Sequence, residues 1–244
     1  MKRILITVKE KWPEYLIESI VIVASILGAF ALDSWNETRK QRVDEHTFLS
    51  NVSENLSLDS VQFAYYEGQY KLIEKLHVQL YRIGIKNEEL DATVDPLMIR
   101  RSLYFKQLVD EDIIESSQVI VNPQMRQELI DYAKLVADLN EVYNGQLDEV
   151  ITETRAYLAQ RNVYNADKWF ESRTRVADDY TFIEFEGRNI VDKDRLFELS
   201  KTKEFQQKLF ELNLKWNEFY SNLRKIMEAR TRLQDLLREE LKNR

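Results

Sequence analysis

The 244-residue sequence predicts an all-α protein in which one N-terminal transmembrane helix continues into a long antiparallel helical bundle. Three observations carry that expectation. Leu16 to Leu32 contains a single formal charge, Glu18, among Leu, Ile, Val, Ala, Phe, Gly and Ser. Three later stretches repeat apolar residues at alternating three and four spacing, which puts them on one helical face. Only 5 Gly and 3 Pro punctuate the chain, which favours long helices over strands and turns.

Residues 1–14 read as an N-terminal tail and 15–34 as the span. Twenty helical residues rise about 30 Å, the thickness of a bilayer's hydrocarbon core. Trp12 and Tyr15 stand as anchors at one membrane interface and Trp35 at the other, where amphipathic rings sit best. Ala29-Phe30-Ala31 also has the small-x-small pattern that a signal peptidase cleaves. Against cleavage, the leader is long, Glu14 and Glu18 interrupt it, and the apolar run exceeds a usual signal core. The segment is therefore read as a retained anchor. Lys2, Arg3, Lys9 and Lys11 precede the span and Arg39, Lys40 and Arg42 follow it. That is nearly a tie, but a positive tail resists translocation and long domains cross regardless of charge. The expected arrangement is tail inside and residues 35–244 on the extracytosolic side of a bacterial inner membrane.

A helical wheel divides the span. Glu18, Ile22, Ser25, Ala29 and Asn36 share one sector with Asp33 at its margin, while Leu16, Ile20, Val23, Leu27 and Phe30 lie opposite. Ala24-xxx-Gly28 and Ser25-xxx-Ala29 have the spacing at which small residues let membrane helices approach closely. Glu18, Ile22, Ser25, Gly28, Ala29, Asp33 and Asn36 are thus expected to form an oligomer face or to line a pore. A carboxylate in hydrocarbon costs about 2.5 kcal/mol or more, so it normally meets protein or water. Three readings of Glu18 stand open: it reaches the headgroups, it hydrogen-bonds across a helix–helix contact, or it lines an ion path.

Beyond the span, Leu49, Val52, Leu56, Phe63, Tyr66, Tyr70, Ile73, His77 and Leu80 make one apolar stripe, interrupted by Asp59. The stripe runs through Gly68, so the long helix is expected to continue the membrane helix until Gly84 and Lys86-Asn87-Glu88-Glu89 end it. Asp95-Pro96 reads as a helix cap followed by proline at the first helical position, opening a short helix with Leu97, Arg101 and Leu108. Asn122-Pro123 repeats the signal before Met125, Leu129, Tyr132, Val136, Leu139, Tyr143, Val150 and Tyr157, with Gln146 and Thr154 as polar gaps. Residues 162–200 are irregular. Tyr180 to Phe185 has β-forming composition and Glu186-Gly187-Arg188-Asn189 suits a turn, so a small hairpin is expected near 179–191. The last stripe, Phe205, Leu209, Leu212, Trp216, Phe219, Leu223, Ile226, Leu233 and Leu237, runs from about Thr202 to Leu241 and breaks at Arg230. These stripes are bundle core, with an intermolecular coiled coil over part of the last as the alternative.

Charge and motif content narrow the function. A net charge of −7 argues against a nucleic-acid partner, because neutralising phosphates needs clustered cations. Zero Cys rules out disulfides and thiolate chemistry. No phosphate-cradling glycine loop, nucleophile elbow or HExxH occurs, and no cofactor or metal is expected. Glu74-Lys75-Leu76-His77 matches half of a carboxylate-bridged di-iron motif, which needs two copies. His46 is the only other histidine, so His77 is read as a hydrogen-bonded core residue. Asp110-Glu111-Asp112 and Asp178-Asp179 read as solvated loop charge. Arg100-Arg101, Arg173 and Arg175 could gather into an anion-binding patch at one end of the bundle.

The run Glu18-x-Ile20-x-Ile22-x9-Leu32-Asp33-Ser34-Trp35-Asn36-Glu37-Thr38-Arg39 resembles a bacterial family of uncharacterised small single-pass membrane proteins. Its members carry an acidic residue near the start of an N-terminal membrane helix, a Gly-Ile-like pair midway and an Asn-x-Trp-Asn-Glu-x-Arg exit. Here Leu27-Gly28 stands where the pair would be, and Asp33 replaces the first Asn. Ser116-Ser117 to Tyr132, with Leu129-x-x-Tyr132, also looks like the family's middle segment. The resemblance covers roughly the first 50 residues closely and the rest loosely. It implies a single span and no catalytic residue. The expected function is a non-enzymatic, homo-oligomeric scaffold or signal-transmitting subunit, touching the lipid bilayer and other membrane proteins. The alternative is an ion-conducting or gated pore built from several copies of the span. An enzyme anchored to the membrane is the third class weighed.

Overall fold

The computed structural model describes residues 2–89, 91, 93–167, 170 and 190–242, with side chains described at Trp12 and from Leu16 onward. The fold is all-α, and no strand occurs among the described residues. Helix α1 runs without a break over Lys2–Lys86, 85 residues, so the segment set apart as a tail is helical too. Gly28 and Gly68 interrupt nothing. The helix ends where Asn87 takes φ 51° and its N–H reaches the Ile83 carbonyl at 3.1 Å, a left-handed cap that asparagine tolerates.

Both proline start signals act as the sequence suggests, but only one opens a long helix. The Asp95 carboxylate accepts from the Leu97 N–H at 2.9 Å and Pro96 opens a 3₁₀ turn, Pro96–Arg100. The short helix expected to carry Leu97, Arg101 and Leu108 is absent. Residues 101–107 are irregular backbone instead. The Tyr104 and Leu103 carbonyls in this stretch accept from the Tyr66 and Tyr143 hydroxyls in place of helix partners. After α2 (Ile113–Ser116) and a 3₁₀ turn, Ser117–Val119, the Asn122 side chain caps α3 (Pro123–Asp148) by accepting from Gln124 and Met125.

A π turn, Glu149–Thr154, joins α3 to α4 (Arg155–Gln160). Its position explains the polar gaps. Gln146, Val150, Thr154 and Leu158 are all buried at four-residue steps, more than the 3.5 that a heptad stripe follows. The wider π turn absorbs the excess. Leu158 becomes the buried residue, and Tyr157, expected in the stripe, is only partly buried. Two further helices close the fold: α5 (Lys193–Ser200), capped by Asp192, and α6 (Lys203–Lys242). The hairpin expected near 179–191 falls mostly outside the described residues. Its last positions form an isolated antiparallel bridge, Val191 with Tyr164.

The three apolar stripes meet as one core. Every member of the first stripe and of the last is buried. Helix α6 packs along both α1 and α3, making an elongated bundle of the expected kind. On the other side, residues 94–121 fill the groove between α1 and α3. Phe105 lies at the centre of that side, with its ring centroid 5.3 Å from Tyr66, 5.7 Å from Tyr143 and 5.6 Å from Phe219, the last edge-on. Edge-on and tilted geometries suit the ring quadrupole.

Candidate functional site

The lower part of α1 has no bundle around it. From Leu16 to Asp44 every residue is exposed, and the helix from Leu16 to Lys86 is long and apolar enough to cross a membrane. Exposed apolar side chains there include Ile20 at 58% and Phe30 at 68%. All seven residues expected on the oligomer face or pore, Glu18, Ile22, Ser25, Gly28, Ala29, Asp33 and Asn36, are exposed on this one helix. Of the anchors, Trp12 and Trp35 are exposed at 57% and 62%, while the Tyr15 side chain lies outside those described.

The chemistry of that face is sharper than its composition. The Ser25 hydroxyl donates to the Val21 carbonyl at 2.7 Å and the Thr38 hydroxyl to Ser34 at 2.8 Å. Serine that bonds back to its own helix has spent its donor and offers a neighbour only lone pairs. Glu18, Asp33 and Asn36 are therefore the polar groups with capacity to spare. A Cβ built at Gly28 meets nothing within 4 Å, so close approach there is open to another chain. At the upper end of the apolar segment the Arg39 guanidinium lies 6.0 Å from the Trp35 ring centroid, a cation–π contact.

Just above, the bundle takes hold of α1 through two buried carboxylates. Glu45, 1% exposed, accepts from the Val121 N–H at 2.6 Å. Asp59, fully buried, accepts from Leu108 N–H at 2.8 Å and Val109 N–H at 3.1 Å. Burial pushes the Asp59 carboxyl above its ordinary range, although the two peptide donors pull the other way. The Tyr66 hydroxyl donates to the Tyr104 carbonyl at 2.6 Å and Tyr143 to Leu103 at 2.8 Å. These side chains do the work that helix or sheet hydrogen bonds would otherwise do for the 101–109 backbone. Between α1 and Val121 lies an open groove of about 920 Å³, lined by Trp35, Arg39, Arg42, Glu45 and His46.

Other candidates resolve into structure. His77 is 2% exposed, and its Nδ1 lies 3.3 Å from the Asn213 amide, as a core histidine should. Asn213 also donates to Glu74 at 2.7 Å, so the Glu74–His77 pair belongs to a cross-helix network. Burial depresses the His77 pKa to about 3, and its Nε2 has no hydrogen-bond partner. No group of three or more metal-ligating side chains occurs among the described residues. Arg100 covers the Tyr164 ring at 5.1 Å and Arg101 donates to the Tyr65 hydroxyl at 2.9 Å. The two reach different elements, yet both line one small open pocket of about 190 Å³ with Leu97, Ser102 and Arg155. Arg173, Arg175, Asp178 and Asp179 lie outside the described residues.

No protein-family model matches this chain, and neither does any curated protein or solved structure.

Proposed function

We propose that this chain is a non-enzymatic protein of the bacterial inner membrane, a member of the single-pass family its exit motif resembles. Residues 15–34 anchor it and residues 35–244 form an extracytosolic helical domain. It assembles with copies of itself and serves as a scaffold or signal-transmitting subunit, in contact with the bilayer and with other membrane proteins. One feature supports this reading above the rest: the apolar, fully exposed part of α1 and the core of the bundle belong to a single unbroken helix, Lys2–Lys86. An unbroken helix of this kind curves only gently along its length. A ligand or partner that tilts or rotates the bundle therefore moves the membrane segment with it, with no loop in between to absorb the motion.

A pore is the second reading, favoured by one observation: Glu18, Ser25 and Asn36 share one azimuth of the span. It needs four or more copies around an axis. Glu18→Gln separates the two. The scaffold reading expects normal membrane insertion, a weaker oligomer and no ion flux from either protein in liposomes. Flux that Glu18→Gln abolishes would replace it with the pore, and an oligomer indifferent to the substitution removes Glu18 from the mechanism.

A further inference from the structure

Helix α1 is apolar on two faces where the bundle needs only one. The inner face is buried in the core. The outer face carries Leu58, Val61, Tyr65 and Leu72, exposed at 51, 70, 48 and 46%. With Gly68 in register they repeat at alternating three and four spacing, the pattern of a helix–helix seam. From Ser57 to Gly68 every exposed position is uncharged: Ser57, Leu58, Val61, Ala64, Tyr65 and Gly68. From Glu218 onward α6 offers the contrast, with Glu218, Arg224, Lys225, Glu228 and Arg232 exposed on a solvated face. In a chain with 32% charged residues, an uncharged outer stripe marks a contact surface.

The stripe continues a face already described. About ten whole turns separate Ile22 from Leu58, Ser25 from Val61, Ala29 from Tyr65 and Asn36 from Leu72. Each pair points in about the same direction. The bundle joins α1 from the other side, with Glu45 roughly 180° around the helix from Glu18. One face therefore runs from Glu18 to Leu72, met by its own chain at Tyr65, whose hydroxyl accepts from Arg101 at 2.9 Å, and carrying charges of its own above the membrane at Lys40 and Glu54.

Lipid cannot cover its upper half, because Ser57 stands about 35 Å beyond Ser34 at about 1.5 Å rise per residue. A second copy can. Copies of one single-pass chain share a direction in the membrane, so two α1 helices lie parallel and each residue meets its own counterpart across a two-fold axis. The stripe from Leu58 to Leu72 is neutral, so self-pairing along the face brings like charges together only at Glu18, Lys40 and Glu54. The face is about 80 Å long, and with a seam roughly 10 Å wide it buries about 800 Å² per copy, the area typical of a specific interface. We propose that α1 pairs in parallel with α1 of a second copy along this face, the stripe Leu58–Val61–Tyr65–Leu72 forming its extramembrane half. The proposal rests on reading residues 15–34 as a membrane span.

The chain has no cysteine, so single cysteines report without background. Leu58→Cys, Val61→Cys and Leu72→Cys in the full-length protein, oxidised in native vesicles, should cross-link to dimers at least tenfold faster than Ser221→Cys or Glu228→Cys on α6. Val61→Lys, at a position 70% exposed, should leave thermal unfolding unchanged and weaken self-association at least tenfold. Cross-linking that is absent at all three α1 positions, or equally fast on α6, overturns the proposal. So does cross-linking only to a different protein. Alkaline carbonate extraction judges the membrane reading separately. A chain released by carbonate refutes the span, while the cross-linking pattern still decides whether the stripe pairs.

Discussion

Replacing Asp59 with alanine should loosen the segment that fills the groove between α1 and α3. The carboxylate accepts from two peptide N–H groups, Leu108 at 2.8 Å and Val109 at 3.1 Å. Leu108 is 43% exposed and Val109 is fully buried, so water can reach the first donor but not the second. Stranding one buried donor costs about 1–3 kcal/mol, and losing hydrogen bonds to a charged acceptor adds about as much again. Part of this is recovered, because the ionised carboxylate is itself held at a desolvation cost. The balance is a loss of about 3 kcal/mol, which lowers the melting temperature of a domain this size by roughly 6–12 °C. Circular dichroism melting in detergent or nanodiscs measures it, and amide exchange at Val109 should accelerate with it. Asp59→Asn keeps one acceptor oxygen and should cost less. The raised pKa also fixes a sign. The folded state holds the Asp59 proton more tightly than the unfolded state, so this group's contribution falls as pH rises above 3.8, its ordinary value. Asp59→Asn removes that slope. A melting temperature within 2 °C of wild type for Asp59→Ala, with unchanged exchange at Val109, would refute the reasoning.

Three further outcomes follow from the same structure. At Gly84 a Cβ would run into the Ser200 carbonyl and the Gln206 side chain, so Gly84→Ala should destabilise by about 1–3 kcal/mol despite its better helix propensity. Gly145 has open space around it, and Gly145→Ala in α3 should stabilise by about 0.5–1 kcal/mol; thermal melts that rank the two the other way contradict the packing described. His77 has its pKa lowered from 6.5 to about 3 by burial, so the unfolded chain binds a proton that the folded chain refuses. Stability should therefore drop as pH falls below about 6.5, by up to about 1.4 kcal/mol per pH unit, and His77→Leu should flatten that part of a urea-titration series.

The long elements were legible because their signal is periodic and local. Leu49 to Leu80 and Phe205 to Leu237 repeat often enough to fix a buried face without knowing what covers it. Asp59 appeared only as a gap in the stripe. Its partners, Leu108 and Val109, are distant in sequence, and no local pattern announces a carboxylate that caps another segment's backbone. Phe105 was missed for the same reason. Residues 101–107 have no period because the contacts that hold them, such as Tyr66 and Tyr143 on the Tyr104 and Leu103 carbonyls, come from α1 and α3. Gly84 read as a helix stop when its role is close approach. The π turn had a visible trace, since Gln146 and Thr154 break the heptad eight residues apart, but register shifts of one residue are hard to assign without the packed neighbour. In the candidate site, the shared azimuth of Glu18, Ile22, Ser25, Ala29 and Asn36 was readable from helical arithmetic. Its continuation through Leu58, Val61, Tyr65 and Leu72 was hidden, because a helix apolar on both sides looks merely hydrophobic until the structure says which side is buried.

The proposed contact is that of the outward face of α1, from Glu18 upward, with another polypeptide. Counting chains per particle by mass, with wild-type protein in lipid nanodiscs, tests it most directly. Two chains per disc at limiting dilution is the result this account requires; a population of single chains that stays single as protein concentration rises contradicts it.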